Sequence, residues 1–213
     1  MSEVYLLPAE EVRRELTVSN SHFIATLAPI SSIDEAKAFV ARLRKEFAGA
    51  SHNVPAYIVG GGNSVTEYCS DDGEPSGTAG RPALAVLRGS GLGDVAVVVT
   101  RYFGGTLLGK GGLVRAYTEA TKLVVGTVSR AQRIPVHLVL LALPYPLLER
   151  VRLLVTRNHG QTIDEEFAAD VTMTLQFPVE ELDAFQEALR ELSAGNLQAE
   201  VIETKTMLVR IKD

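Results

Sequence analysis

Residues 17–28 (TVSNSHFIATLA) alternate well enough between apolar and polar positions to predict a strand. Ala36, Phe39, Val40, Leu43 and Phe47 then recur at helical spacing. Ser31 or Ser32 can cap that helix near Ile33, Glu35 sits in its first turn, and Gly49 ends it. Residues 56–59 predict a strand that Gly60, Gly61 and Gly62 break, and residues 66–70 a short one. Residues 71–82 (DDGEPSGTAGRP) hold three glycines and two prolines, so a loop is expected, with a short helix opening at residue 83. The clearest strand is 94–102 (DVAVVVTRY), a continuous β-branched run of the kind found in a buried strand. A glycine-rich loop, 103–112, leads into a helix over 113–125 with Leu113, Ala116, Ala120 and Leu123 inward.

Residues 129–135 mark a boundary. Beyond it the pattern predicts a strand (136–143), a helix (146–158), two strands divided near 168–170, a helix (179–193) and a strand (198–203). Pro146 in the first turn and Gly160 after the first of these helices are the usual end residues, and Gly195 ends the second. The order is βαββαβ, the ferredoxin-like plan. The chain is therefore expected to be α+β with two domains, residues 1–130 and 137–213.

Composition changes this picture little. Of the 213 residues, 46% are hydrophobic and 22% charged, as in folded domains rather than disordered chains. The longest apolar stretch, 134–148, is interrupted by His137, Pro144 and Pro146 and is too short to span a membrane. The first 16 residues mix acids and bases without a signal-peptide pattern, so a cytoplasmic protein is expected. The single cysteine, Cys69, excludes an internal disulfide and a cysteine zinc cluster, and reads as a small buried hydrophobe rather than a nucleophile.

Charge is more informative. Residues 1–80 carry 6 basic and 11 acidic side chains, residues 81–136 carry 8 and 2, and residues 137–213 carry 7 and 13. The net charge of −5 argues against a general nucleic-acid binder, but the middle of the chain is a basic island. That island is either a solvated helix and strand face or a localised anion site.

The island contains VVVTRYFGGTLLGKGGLVRAY. Gly104, Gly105, Gly109, Gly111 and Gly112 let the backbone adopt positive φ and approach a ligand, and the helix that follows offers free N–H groups and its positive dipole end. Arg101, Lys110 and Arg115 add charge, so the segment is suited to a phosphate. From Gly104 the letters read G-x-x-x-x-G-K, but the magnesium-binding Ser or Thr of a P-loop is replaced by Gly111. In the second segment, SDDGEPSGTAGRP, Asp71, Asp72 and Glu74 can bind a metal or hold Arg81 or Arg101 in a fork. Their spacing is not that of an EF-hand, and a rigid loop that orients Arg81 is the better reading. His52 can serve as acid or base but is more often structural. Tyr57, Tyr102 and Phe103 can stack on bases or belong to core or rim.

These segments in this order, with SHFIA (21–25) and HNVPAY (52–57), resemble the IMPACT/YigZ family over residues 17–127. The resemblance implies an N-terminal α/β sandwich with the fold of the second domain of a small-subunit ribosomal protein, shared with elongation factor G and the GHMP kinases. It implies a C-terminal module similar to one in elongation factor G. It further implies regulation of translation for eukaryotic members and association with RNA or the ribosome for bacterial ones, with no settled reaction.

The leading expectation is thus a binding protein without cofactor or catalytic residue. It grips RNA or the ribosome through Arg81, Arg101, Gly104, Gly105, Lys110, Gly111, Gly112 and Arg115, with His52 and Tyr57 at the edge and Asp71, Asp72 and Glu74 in support. The alternative is an enzyme holding a nucleotide or phosphorylated small molecule, although the loop lacks the serines of GHMP kinases. A third reading is an adaptor that binds protein through the exposed sheet of its C-terminal domain.

Overall fold

The structure, a computed structural model, describes residues 5–62 and 64–211. The expected domain ends at 1–4 and 212–213 lie outside the described residues. Two compact units are present: Met1–Gln132 with Val209–Asp213, and Arg133–Leu208.

In the first unit a five-stranded antiparallel sheet runs in the order β2-β3-β6-β4-β5. Its strands are β2 (Val12–Val18), β3 (Ser21–Pro29), β4 (His52–Gly61), β5 (Ser64–Cys69) and β6 (Val95–Tyr102). A short strand, β1 (Leu6–Pro8), pairs instead with the first residues of β7 (Arg130–Leu143). Three helices cover the sheet: α1 (Ile33–Glu46), α2 (Gly80–Ser90) and α3 (Gly109–Val125).

Strand alternation divides the core between the two faces. Phe23, Ala25, Leu27, Val54, Ala56, Val95, Val97 and Val99 pack against Leu84 and Leu87 of α2 and Leu113, Tyr117 and Val124 of α3. Ala28, Tyr57, Ala96 and Val98 pack against Phe39, Val40 and Leu43 of α1. The middle strand β6 is thus covered on both sides, which is why its apolar run does not alternate. Each fully buried valine there contributes roughly 1.5–3 kcal/mol relative to exposure.

Four local expectations are corrected. The single strand over 17–28 is a hairpin, β2 turning into β3 at Ser19 (φ 46°) and Asn20 (φ 67°). Two successive positive φ values make the primed turn that suits the twist of paired strands, and Ser-Asn is a weak signal for it. α2 opens three residues early, at Gly80, because a distant carboxylate caps it, as described below. α3 opens at Gly109, taking the end of the expected loop into its first turn. Leu123 is 40% exposed, while Tyr117 and Val124 fill the inward positions.

The second unit contains the rest of β7, α4 (Leu148–Arg157), β8 (Gln161–Phe167), β9 (Val171–Pro178), α5 (Leu182–Leu192) and most of β10 (Glu200–Arg210). β9 lies between β8 and β7, and β10 pairs with β7, so the βαββαβ ferredoxin-like order is present. Val139, Leu141, Met173, Leu175 and Phe177 face Val151 and Val155 of α4 and Phe185 and Leu189 of α5. The Gly195 N–H returns to the Arg190 carbonyl at 2.8 Å, closing α5 with φ 84° at the glycine.

Candidate functional site

The site lies where β6 ends. Strand register sets Arg101 between Phe23 on β3 and His52 on β4. Alternation points Arg101 to the face covered by α2 and α3. A guanidinium in that place needs a counter-charge, and the loop between β5 and α2 supplies it.

Asp71 organises that loop. Its Oδ1 accepts the N–H groups of Ala79 (3.0 Å) and Gly80 (2.9 Å), and its Oδ2 accepts Gly77 N–H (2.8 Å). This is the cap of α2, made by a residue nine positions before the helix. Burial raises the Asp71 carboxyl pKa, but the three N–H donors and nearby Arg81 outweigh it and hold the group below the usual carboxylate range. Asp72 fastens the loop to β4 and α1: its Oδ2 accepts Asn53 N–H at 2.6 Å, and its Oδ1 accepts Arg44 Nη2 at 2.5 Å. Positive φ at Asp72 (47°) and Gly73 (88°) then turns the chain inward and buries Glu74.

Glu74 Oε1 accepts Arg101 Nη1 at 2.7 Å and Tyr117 Oη at 2.8 Å. The Arg101 and Glu74 side chains are 6% and 3% exposed. Arg101 Nη2 also donates to Ser21 Oγ at 3.2 Å, an oxygen that accepts Gly104 N–H as well. Arg101 Nε has no hydrogen-bond partner among the described residues. Tyr117 sits edge-on to Phe23 with centroids 5.3 Å apart, and burial, followed by the charge of Glu74, pushes its phenol pKa far up. Tyr117 is not among the inward positions that the helical spacing predicts. Its phenolic oxygen was the one hint that it needs a polar partner.

A cleft of about 540 Å³ opens above this buried cluster. Its lining includes His52, Glu74, Arg101, Phe103, Lys110 and Leu113, of which Glu74, Arg101 and Leu113 are buried and Phe103 and Lys110 exposed. His52 Nδ1 is 2.8 Å from the Asp72 carbonyl, and its Nε2 is 3.7 Å from Glu74 Oε1. The first turn of α3 borders the cleft with no side-chain cap and no acidic residue. A larger apolar groove of about 600 Å³ between α2 and α3 has Lys122 as its only charged lining residue and offers no comparable chemistry.

The expected site residues therefore divide. His52, Glu74, Arg101 and Lys110 come together. Arg101, expected to grip phosphate, is instead held by Glu74 beneath the surface, so the charge left free at the rim is Lys110. Arg81 is exposed at the start of α2 and does not line the cleft. The loop orients Arg101 rather than Arg81. Arg115 lies five residues beyond Lys110, roughly 140° around α3, and is also off the cleft. Tyr57 is not at the edge but on the opposite sheet face, stacked on Tyr68 at 5.0 Å.

The glycines divide as well. A Cβ on Gly104 would lie 2.0 Å from the Asn20 carbonyl carbon, so this glycine serves close packing against the hairpin. Gly105 and Gly111 have open space around them, and Gly112 lies against Leu108. Asp71 and Asp72 are engaged by backbone and Arg44, and no group of three potential metal ligands occurs among the described residues. Cys69 is half-buried, with its thiol pKa raised by burial and then by Asp71, the opposite of an activated nucleophile. No helix among the described residues is long and apolar enough to cross a membrane.

Residues 19–125 match the Impact N-terminal domain, and residues 141–196 match a domain of unknown function, DUF1949. The IMPACT family member YigZ of Escherichia coli is 36% identical over 94% of this chain and 99% of its own length. YvyE of Bacillus subtilis, also an IMPACT family member, is 32% identical over 92% and 89%. A solved crystal structure of a hypothetical protein is similar over 95% of this chain and 99% of that one, with 36% identity and a TM-score of 0.62. With both domains matched in order and relatives aligned nearly end to end, the chain belongs to the IMPACT family.

Proposed function

We propose that this protein is a translation-associated binding protein that holds RNA, alone or in the ribosome, through the phosphate backbone at the start of α3. The observation that carries this reading is the uncapped, glycine-rich first turn of α3 with Lys110 beside the cleft. Free N–H groups, the positive helix end and a mobile ammonium are what a phosphate needs. The absence of acids in that turn removes the competing ligand. Arg101 contributes by fixing the loop with Glu74, not by touching phosphate.

The test is binding of the protein to ribosomal subunits and short RNA at two salt concentrations, beside Lys110→Ala. Salt-sensitive binding that weakens in the variant supports the reading. Binding indifferent to Lys110 removes it.

The cleft favours a second reading, a phosphorylated small molecule held by the same turn. Its volume suits such a ligand. A magnesium-dependent kinase finds less support, because Asp71 and Asp72 are already bonded to the protein. Nucleotide titration with and without magnesium separates the two.

A further inference from the structure

The base of the cleft has a definite hydrogen-bonding polarity. His52 Nδ1 faces the Asp72 carbonyl, and a carbonyl only accepts, so Nδ1 carries the proton. With Nδ1 as donor, Nε2 is the ring atom left to accept, and it lies 3.7 Å from a second acceptor, Glu74 Oε1. Glu74 directs Oε1 to Arg101 and Tyr117, while its Oε2 accepts no hydrogen bond from any described residue. Among the described buried side-chain atoms only Arg101 Nε lacks both a partner and solvent, so Glu74 Oε2 is reached from the cleft and is free to accept a donor there. Two neighbouring acceptors call for two neighbouring donors.

The walls add shape. Phe103, 48% exposed, presents a ring at the mouth, and Leu113 lines the interior. The ligand is therefore flat and apolar on its faces, has paired donors on one edge, and carries an anion for Lys110 and α3. Among nucleic-acid bases only guanine has two adjacent donors on its Watson–Crick edge, N1–H and the 2-amino group. Adenine and cytosine place a ring acceptor beside their amino group, and uracil flanks its one N–H with carbonyls. The guanine O6, next to N1–H, needs a donor. Ser51 lines the cleft, and its Oγ accepts Phe103 N–H while keeping its own proton to give.

We propose that the cleft takes the base of one guanosine from single-stranded RNA, its Watson–Crick edge on His52 and Glu74 and its phosphate on Lys110 and the first turn of α3. This rests on the phosphate-binding reading above and adds base recognition to it. Single-stranded RNA is commonly read in this manner, by an unstacked base against an aromatic ring with hydrogen bonds to its edge. Phe103 supplies the stacking surface. His52 and Glu74 supply the discrimination.

The experiment is titration of the full chain with the RNA heptamers U3GU3, U3AU3, U3CU3 and U7, and with GMP. U3GU3 should bind about tenfold or more tighter than the other three, the discrimination one bidentate edge contact gives. His52→Ala should abolish the preference. Phe103→Ala, which removes a ring 48% exposed and 5.5 Å from the Arg101 guanidinium, should weaken U3GU3 several-fold, with an unchanged melting temperature as the control. Lys110→Ala should weaken all four heptamers and keep the order. Equal, salt-sensitive binding of the four heptamers overturns base recognition and leaves the phosphate site standing. No binding of any heptamer overturns base recognition, and no binding of ribosomal subunits beside it overturns the phosphate site as well. GMP binding as tight as U3GU3 overturns RNA as the source and assigns the cleft to a free nucleotide.

Discussion

Arg101 and Glu74 form an ion pair of 2.7 Å in which neither side chain is more than 6% exposed. One comes from the central strand and the other from a loop with no regular structure. The pair joins that loop to the sheet, and Tyr117 adds α3 through the same carboxylate oxygen. Removing either charge leaves the other buried without its counter-charge, with only the hydroxyl of Ser21 or Tyr117 beside it. Arg101→Ala or Glu74→Ala should therefore lower unfolding free energy by about 3–5 kcal/mol. The double variant Arg101→Ala/Glu74→Ala should lose less than the two single changes added together. Urea denaturation of the four proteins measures this, and additive losses would show that the pair is not coupled.

Asp71 makes the stability of the loop depend on pH. Its folded pKa is depressed, so its stabilisation is present above the unfolded value, about 3.9 for an aspartate, and is lost as pH falls from there through the folded value. Asp71→Asn places an amide where the N–H groups of Gly77, Ala79 and Gly80 need acceptors. The expected loss at neutral pH is about 1–3 kcal/mol. Below about pH 4 the gap between variant and parent should narrow. Thermal unfolding of both proteins from pH 7 to pH 3 tests it, and a gap that stays constant would mean Asp71 does not titrate differently on folding.

Much of this fold can be read from the chain because its signals are local. The valine run of β6 announces a strand covered on both faces, and the glycines and prolines of residues 71–82 announce a loop. Asp71 capping α2 from nine residues away leaves no local mark, so local signals predict a start at residue 83 and the helix begins at Gly80. The Ser19–Asn20 turn lacks the glycine that signals a tight hairpin. At the site the sequence marked the cations but could not distinguish them. Arg101 is buried and Lys110 exposed, although both border the same glycines, because only register and alternation decide which way Arg101 points. Tyr57 lies away from the cleft for the same reason: it is five residues from His52, and an odd step along a strand reverses the face.

Two glycines of one motif should respond to alanine in opposite ways. At Gly104 a methyl group meets the Asn20 backbone at 2.0 Å, and backbone cannot rotate aside as a side chain can. Gly104→Ala should cost about 2 kcal/mol or more, through strain of the overpacking kind. Gly111 lies in the first turn of α3 with nothing within 4 Å of the added carbon. Gly111→Ala should stabilise the protein by about 0.5–1 kcal/mol, because alanine restricts the unfolded chain and favours helix. Melting temperatures shifting in the same direction for both variants would contradict these assignments.

Cys69 reports on Asp71 from outside the cleft. Burial, and then the negative charge of Asp71, raise the thiol pKa, while Arg81 and Arg88 pull it down less strongly. Only the thiolate attacks a disulfide reagent, so reaction at neutral pH should be slower than for a free cysteine. Asp71→Asn removes one of the two leading causes, and the thiol pKa should move down towards its ordinary value. Arg81→Ala should do the reverse. The measurement is the rate of Cys69 modification against pH, with its midpoint lower in Asp71→Asn and higher in Arg81→Ala. Because loosening of the loop would also speed the reaction, the plateau at high pH supplies the control. An electrostatic effect shifts the midpoint and leaves the plateau near that of the parent, whereas greater exposure raises the plateau. A raised plateau with an unmoved midpoint would show that Asp71 acts on this thiol through packing alone.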